Sequence, residues 1–119
     1  MAGSLNKVML IGNLGADPDM RQTQDGKRMA LLSLATSESW KDKSTGEKKE
    51  KTDWHRIVIF NEGLAGIVES YLKKGSKIFV EGQLRTRKYT DANGVEKFTT
   101  EVVLSGFNGN LTMLDNRGG

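Results

Sequence analysis

The sequence has no cysteine, one proline and one histidine. Without cysteine there is no disulfide framework and no thiolate to hold a metal or attack a substrate, and such a chain suits a reducing compartment. A lone His55 excludes a histidine-rich metal site. Long apolar runs are missing as well. Near the N-terminus only Val8-Met9-Leu10-Ile11 is continuously apolar, too short for a signal-peptide core or a membrane span. A cytoplasmic protein with no membrane partner is expected. Aromatic residues make up only 7% of the chain, so where they fall is informative.

What is present suits one soluble domain: 119 residues, 36% hydrophobic and 28% charged, enough for a single core. A formal net charge of +3 says little by itself. Its distribution says more. Lys41, Lys43, Lys48, Lys49 and Lys51 crowd one stretch, and Arg85, Arg87 and Lys88 another. Each cluster alone reads as a solvated loop or strand edge. Two clusters flanked by aromatics point to a polyanion.

The order of elements follows from periodicity. Leu5 to Gly15 alternates little, with Val8, Met9, Leu10 and Ile11 all apolar, as in a strand covered on both faces. Turns are expected at Gly15–Asp19, around the only proline, and at Asp25-Gly26. Arg28 to Trp40 reads as a long strand and Trp54 to Phe60 as a third. Between them, Lys41 to Asp53 has no apolar residue and reads as an exposed loop or a projecting hairpin. Leu64, Ile67, Val68, Tyr71 and Leu72 then fall at helical spacing. Asn61 is placed to cap this helix, Lys73 and Lys74 suit the negative end of its dipole, and Gly75 suits a left-handed terminus. Lys77 to Tyr89 and Phe98 to Leu104 are strands joined by Asp91-Ala92-Asn93-Gly94, with Asn-Gly accepting positive φ. Leu111 to Leu114 adds a short extension. The chain is therefore all-β with one helix. Five strands with the helix between the third and fourth make the Greek-key barrel called the OB-fold. The domain spans 1–114, and 115–119 reads as the start of a flexible glycine-rich tail.

Strand parity locates a surface, because successive side chains point to opposite faces. Trp54, Arg56, Val58 and Phe60 share one face, against His55, Ile57 and Ile59 on the other. Arg85, Arg87 and Tyr89 also share a face, and Trp40 closes the second strand beside the basic stretch. Unpaired bases stack on such rings for about 1–3 kcal/mol each with little regard to sequence. Lysine and arginine neutralise phosphates and release counterions. Alternate strand residues lie about 6.5–7 Å apart, comparable with the spacing of nucleotides in an extended single strand. Duplex DNA hides its base faces and has no use for these rings. The competing reading, that Trp54 and Phe60 are core, is weakened by Ile57 and Ile59, which already supply a core face.

Other chemistry finds little support. Asp17 and Asp19 could form an acid pair for a metal-dependent nuclease, but they flank a proline and read better as turn residues. Gly12-Asn13-Leu14-Gly15 lacks the lysine and helix of a phosphate-cradling loop. The serines and threonines have no catalytic partner. No enzyme, no metal and no cofactor is expected. Three further readings stand beside single-stranded DNA binding: an OB-fold protein–protein adaptor of the primosome type, a single-stranded RNA binder, and the nuclease.

These same residues resemble the bacterial single-stranded DNA-binding proteins. The resemblance runs through Asn6-Lys7-Val8, Gly12-Asn13-Leu14-Gly15, Asp17-Pro18 and Leu34–Trp40, then Trp54-His55-Arg56, Tyr71–Gly75 and Glu81–Tyr89, in order along nearly the whole chain. It implies a homotetramer with DNA wrapped outside, acting in replication, recombination and repair, at the nucleoid within the cytoplasm. It carries base stacking to Trp40, Trp54, Phe60 and Tyr89, the last commonly tryptophan in the family. It carries phosphate contacts to Lys7, Arg21, Lys43, Arg56, Lys73, Arg85, Arg87 and Lys88, with Lys49 beside Lys43 in the basic stretch. A subunit interface is expected at Asn6, Val8, Leu10 and His55. The family usually continues into a glycine-rich linker and an acidic tip that recruits replication and repair proteins. Such a tip is absent here, so this chain reads as the DNA-binding core of a longer protein, and recruitment is not assigned to these residues.

Overall fold

In the computed structural model, which describes residues 3–106 and 109–115, seven strands and one helix follow in sequence. They are β1 (Val8–Leu14), β2 (Asp19–Gln22), β3 (Arg28–Lys41), β4 (Lys48–Ile59), α1 (Glu62–Tyr71), β5 (Lys77–Thr90), β6 (Glu96–Leu104) and β7 (Asn110–Met113). Five of the strands close a ring: β1 pairs β3, β3 pairs β4, β4 pairs β6, β6 pairs β5, and β5 returns to β1. All these pairings are antiparallel except β4–β6. The helix falls between the third and fourth strands of the ring in chain order, as expected for the OB-fold. β2 and β7 lie alongside β3 and β5. The segment expected as tail, 115–119, lies outside the described residues except for Asp115, whose carboxylate accepts the Lys77 N–H at 3.0 Å.

Alternation decides what fills the barrel. Ala30, Leu32 and Leu34 of β3, Ile57 and Ile59 of β4 and Ile78 and Val80 of β5 all point inward and are buried. Val68 and Leu72 plug the bottom from the helix side. β1 serves two partners, pairing β5 over Val8–Asn13 and β3 at Asn13–Leu14. The strands come so close there that a Cβ at Gly12 would run into the Ala35 carbonyl. On β1 the inward residues are Val8, Leu10 and Leu14, while Met9 and Ile11 are 62% and 54% exposed. Val8 and Leu10, expected at a subunit interface, therefore face the core. Strand parity leaves Met9 and Ile11 as the outward apolar side chains.

The helix departs from its expected boundaries. Asn61 does cap it, its side chain accepting the Leu64 N–H at 3.1 Å. Leu72, however, ends it by turning extended, and no basic residue occupies the last turn. Gly75 does take a left-handed conformation (φ 92°), but three residues later, where its N–H bonds the Leu14 carbonyl. Ile67 and Tyr71 lie on the outer side, and Ala65 takes the inner position. The polar stretch 41–53 is the projecting hairpin of the two alternatives, with β3 and β4 paired out to Lys41 and Lys48. β2 was not expected, since a four-residue strand with one apolar residue, Met20, carries no period. At the β5–β6 turn only Gly94 has positive φ (79°); Asn93 does not. The glycine thus supplies the left-handed residue of a bulged turn.

Candidate nucleic-acid interface

Five strands contribute to one outer face of the sheet. Register sets the order across it: Arg21 of β2 opposite Met29 of β3, then Ser33 of β3 opposite Arg56 of β4. β4 runs parallel to β6 with Val58 beside Val103. β6 in turn places Glu101 opposite Arg85, Thr99 opposite Arg87 and Lys97 opposite Tyr89 of β5. A groove lined by Arg21, Leu31, Arg56, Phe60, Arg85 and Arg87 runs across this face, and a second depression, which shares Arg21, Leu31 and Arg56 with it and adds Trp54, adjoins it. The floor is apolar, with Val58 buried. The rings above it are not core: Trp54 is 61%, Phe60 44% and Tyr89 39% exposed. An apolar floor, exposed rings and guanidinium groups together can hold a flat apolar face and an anion at once.

Local features hold these side chains. The Trp54 indole lies against Gly15, where an added Cβ would overlap its six-membered ring; only a glycine leaves room for the ring to rest on β1's exit. The Arg87 guanidinium stands 6.0 Å from the Tyr89 ring centroid, within range of a cation–π contact. Arg85 donates to the Gln83 side chain at 2.8 Å, and Arg21 pairs with Asp19 at 3.1 Å. Most pronounced is Glu101, only 5% exposed. Its carboxylate forms an ion pair with Arg56, Nε to Oε2 2.8 Å, and accepts a hydrogen bond from Arg87 Nε at 3.0 Å.

The remaining sequence candidates lie elsewhere. Trp40 and Lys49 are cross-strand partners on the face of the β3–β4 hairpin opposite to Trp54. Lys43 sits in the turn at its tip. Lys88 is on the other face of β5, paired with Glu96 at 2.9 Å. Lys7 precedes β1 and pairs with Glu81 at 3.0 Å, and Lys73 lies just past the helix. The structure therefore gathers Arg21, Trp54, Arg56, Phe60, Arg85, Arg87 and Tyr89 and distributes the other six around the hairpins and the barrel edge.

Of the expected interface residues, Asn6 is engaged within the chain, its side chain bonding both the N–H and the C=O of Leu84 at 2.7 and 2.8 Å. His55 is partly buried with Nε2 2.8 Å from the Thr36 hydroxyl. Asp17 and Asp19, weighed as an acid pair, are both occupied: Asp17 accepts the Lys74 N–H at 2.8 Å and Asp19 holds Arg21. Sequence reasoning passed over Glu101, Gly15 and Phe98. Phe98 is 69% exposed and stands opposite Lys88. Glu101 was within reach, since a turn closing between Asp91 and Val95 places it across from Arg85.

A model of the single-strand binding protein family matches residues 5–113. A single-stranded DNA-binding protein of Rhizobium meliloti (strain 1021) is 61% identical over 119 residues, covering all of this chain and 68% of the relative. One from Rickettsia typhi is 62% identical over 117 residues, covering 98% of this chain and 77% of its own. Among solved structures, a Plasmodium falciparum SSB complex with ssDNA superposes with a TM-score of 0.86 at 44% identity, covering 97% of this chain and 99% of that one.

Proposed function

The chain belongs to the single-strand binding protein family, and on that premise we propose that it binds single-stranded DNA with little sequence preference and performs no chemistry on it. The observation that carries this is the single outer face on which exposed Trp54, Phe60 and Tyr89 alternate with Arg56, Arg85 and Arg87 over an apolar floor. Bases leave their own stack and settle on the rings, while the guanidinium groups take the phosphates. The lysines of the β3–β4 hairpin, with Trp40, extend the track beyond the groove, and Lys7, Lys73 and Lys88 attract the strand where it leaves it. In this reading the protein is a homotetramer with the strand wrapped around the outside, in the cytoplasm at the nucleoid, protecting unpaired DNA during replication, recombination and repair. Among the described residues no helix is long and apolar enough to cross a membrane.

Titration with a long oligothymidine, followed by intrinsic tryptophan fluorescence at low and high salt, tests the proposal. Quenching that saturates at a fixed number of nucleotides per protein is expected. A folded protein whose fluorescence does not respond would favour the adaptor reading. Equal or tighter binding to oligouridine would move the substrate to RNA.

A further inference from the structure

We infer that Glu101 is a positioning residue for nucleic-acid binding: one buried carboxylate that holds the Arg56 and Arg87 guanidinium groups, from two strands that do not pair with each other, in a fixed arrangement facing the groove. The inference rests on the proposed function. The geometry is specific. Glu101 lies on β6, between β4 and β5 in the sheet. Its Oε2 forms an ion pair with Arg56, 2.8 Å from Nε; its Oε1 accepts from Arg87 Nε at 3.0 Å, and its Oε2 accepts from a terminal nitrogen of Arg87 at 3.3 Å. The carboxylate side chain is 6% exposed, whereas the two arginine side chains are 51% and 54% exposed.

A carboxylate has lone pairs enough for both forks, and each guanidinium has five N–H donors. The contacts at the two Nε atoms and at one terminal nitrogen of Arg87 leave further terminal N–H donors on both half-exposed arginines for a phosphate. One negative charge between two positive ones leaves the site cationic, so attraction for phosphate survives. A long side chain that must be ordered on binding weakens the complex. Here the ordering is completed on folding, by a carboxylate that would be costly to bury unpaired. A bare acid in a DNA groove would repel the strand; this one orients the groups that attract it.

The test is a cycle read by oligothymidine titration at the highest salt at which all four proteins still bind: the wild type, Glu101→Gln, the Arg56→Ala/Arg87→Ala double variant, and the triple. Glu101→Gln adds one net positive charge, yet binding should weaken by about three- to tenfold in the otherwise wild-type protein and no longer weaken in the double-alanine background. Unchanged or tighter binding by Glu101→Gln would overturn the inference, leaving Glu101 a repulsive charge. Equal weakening in both backgrounds would also overturn it, since Glu101 would then act on the fold and not through the arginines. If Glu101→Gln does not fold, Arg87→Lys serves with Glu101 intact. It keeps the charge and loses the two-point contact, so affinity near that of Arg87→Ala supports the inference and wild-type affinity overturns it. Failure of the wild type to bind would strike the function itself, a separate outcome.

Discussion

The two long hairpins leave the barrel in similar ways and treat charge in opposite ways. Both close on a left-handed glycine, Gly46 in one and Gly94 in the other, and both stay paired almost to their tips. The β3–β4 hairpin carries Lys41, Lys43, Lys48, Lys49 and Lys51, and among the described residues none of these makes an ion pair. On the β5–β6 hairpin almost every cation is tied: Arg87 to Glu101, Lys88 to Glu96, Lys97 to Asp91. Free lysines on flexible stems supply diffuse attraction that salt screens. Tethered arginines supply direction. In the proposed function, one hairpin collects the strand and the other sets its path.

That contrast can be broken at its root. Ile57 is fully buried where β4 crosses from barrel to hairpin, and Ile57→Ala should cost about 2–5 kcal/mol of stability. Thermal unfolding should show both hairpins melting in the same transition; separate transitions would mean that the hairpins hold themselves. Trp54→Ala should weaken oligothymidine binding by about 1–3 kcal/mol at high and low salt alike, and an unchanged affinity would remove that ring from the interface. The lysines should behave otherwise. Replacing Lys43 and Lys49 by alanine should lower the slope of log affinity against log salt by about 0.7 for each phosphate that is no longer neutralised, with little weakening at high salt. A weakening at high salt equal to that of Trp54→Ala would erase the distinction between the hairpins.

The smallest effect belongs to the β5–β6 turn. Asp91 is held below the ordinary aspartate value of 3.8, first by the Val95 N–H, then by Lys97 and the Asn93 N–H, against some desolvation. A depressed folded value means the carboxylate supports the turn fully above that ordinary value and loses hold as pH falls through the lower folded one. The Val95 amide shift should therefore titrate with a midpoint under 3.8. A midpoint at or above it would mean that the tether is absent in solution.

Much of this was legible in the sequence because it is local. Trp54, Arg56 and Phe60 share a face by strand parity alone, and Arg85, Arg87 and Tyr89 do likewise. Residues 48–53 were harder. With no apolar side chain in Lys48–Asp53, nothing marks a strand whose partner stretch, Thr36–Lys41, has Trp40 as its one apolar residue. The helix end was misplaced because two lysines and a glycine after Tyr71 imitate a terminus that Leu72 already forms. Base stacking is expected at both Trp40 and Trp54, and only the register of the β3–β4 hairpin shows that they stand on its opposite faces.

Alternation, turn chemistry and helical spacing belong to short stretches of chain, and the sequence by itself determined them: which residues share a face, where the chain reverses, where the one helix begins. Which faces meet was decided only by closure of the barrel. The parallel pairing of β4 with β6 brings Arg56 to Glu101, with the helix and β5 between them in sequence. The double pairing of β1 turns Val8 and Leu10 inward and leaves Met9 and Ile11 outside. The physical reason is that backbone stereochemistry sets the facing of neighbours within a strand, whereas contacts between distant strands depend on which edges join to bury the apolar interior.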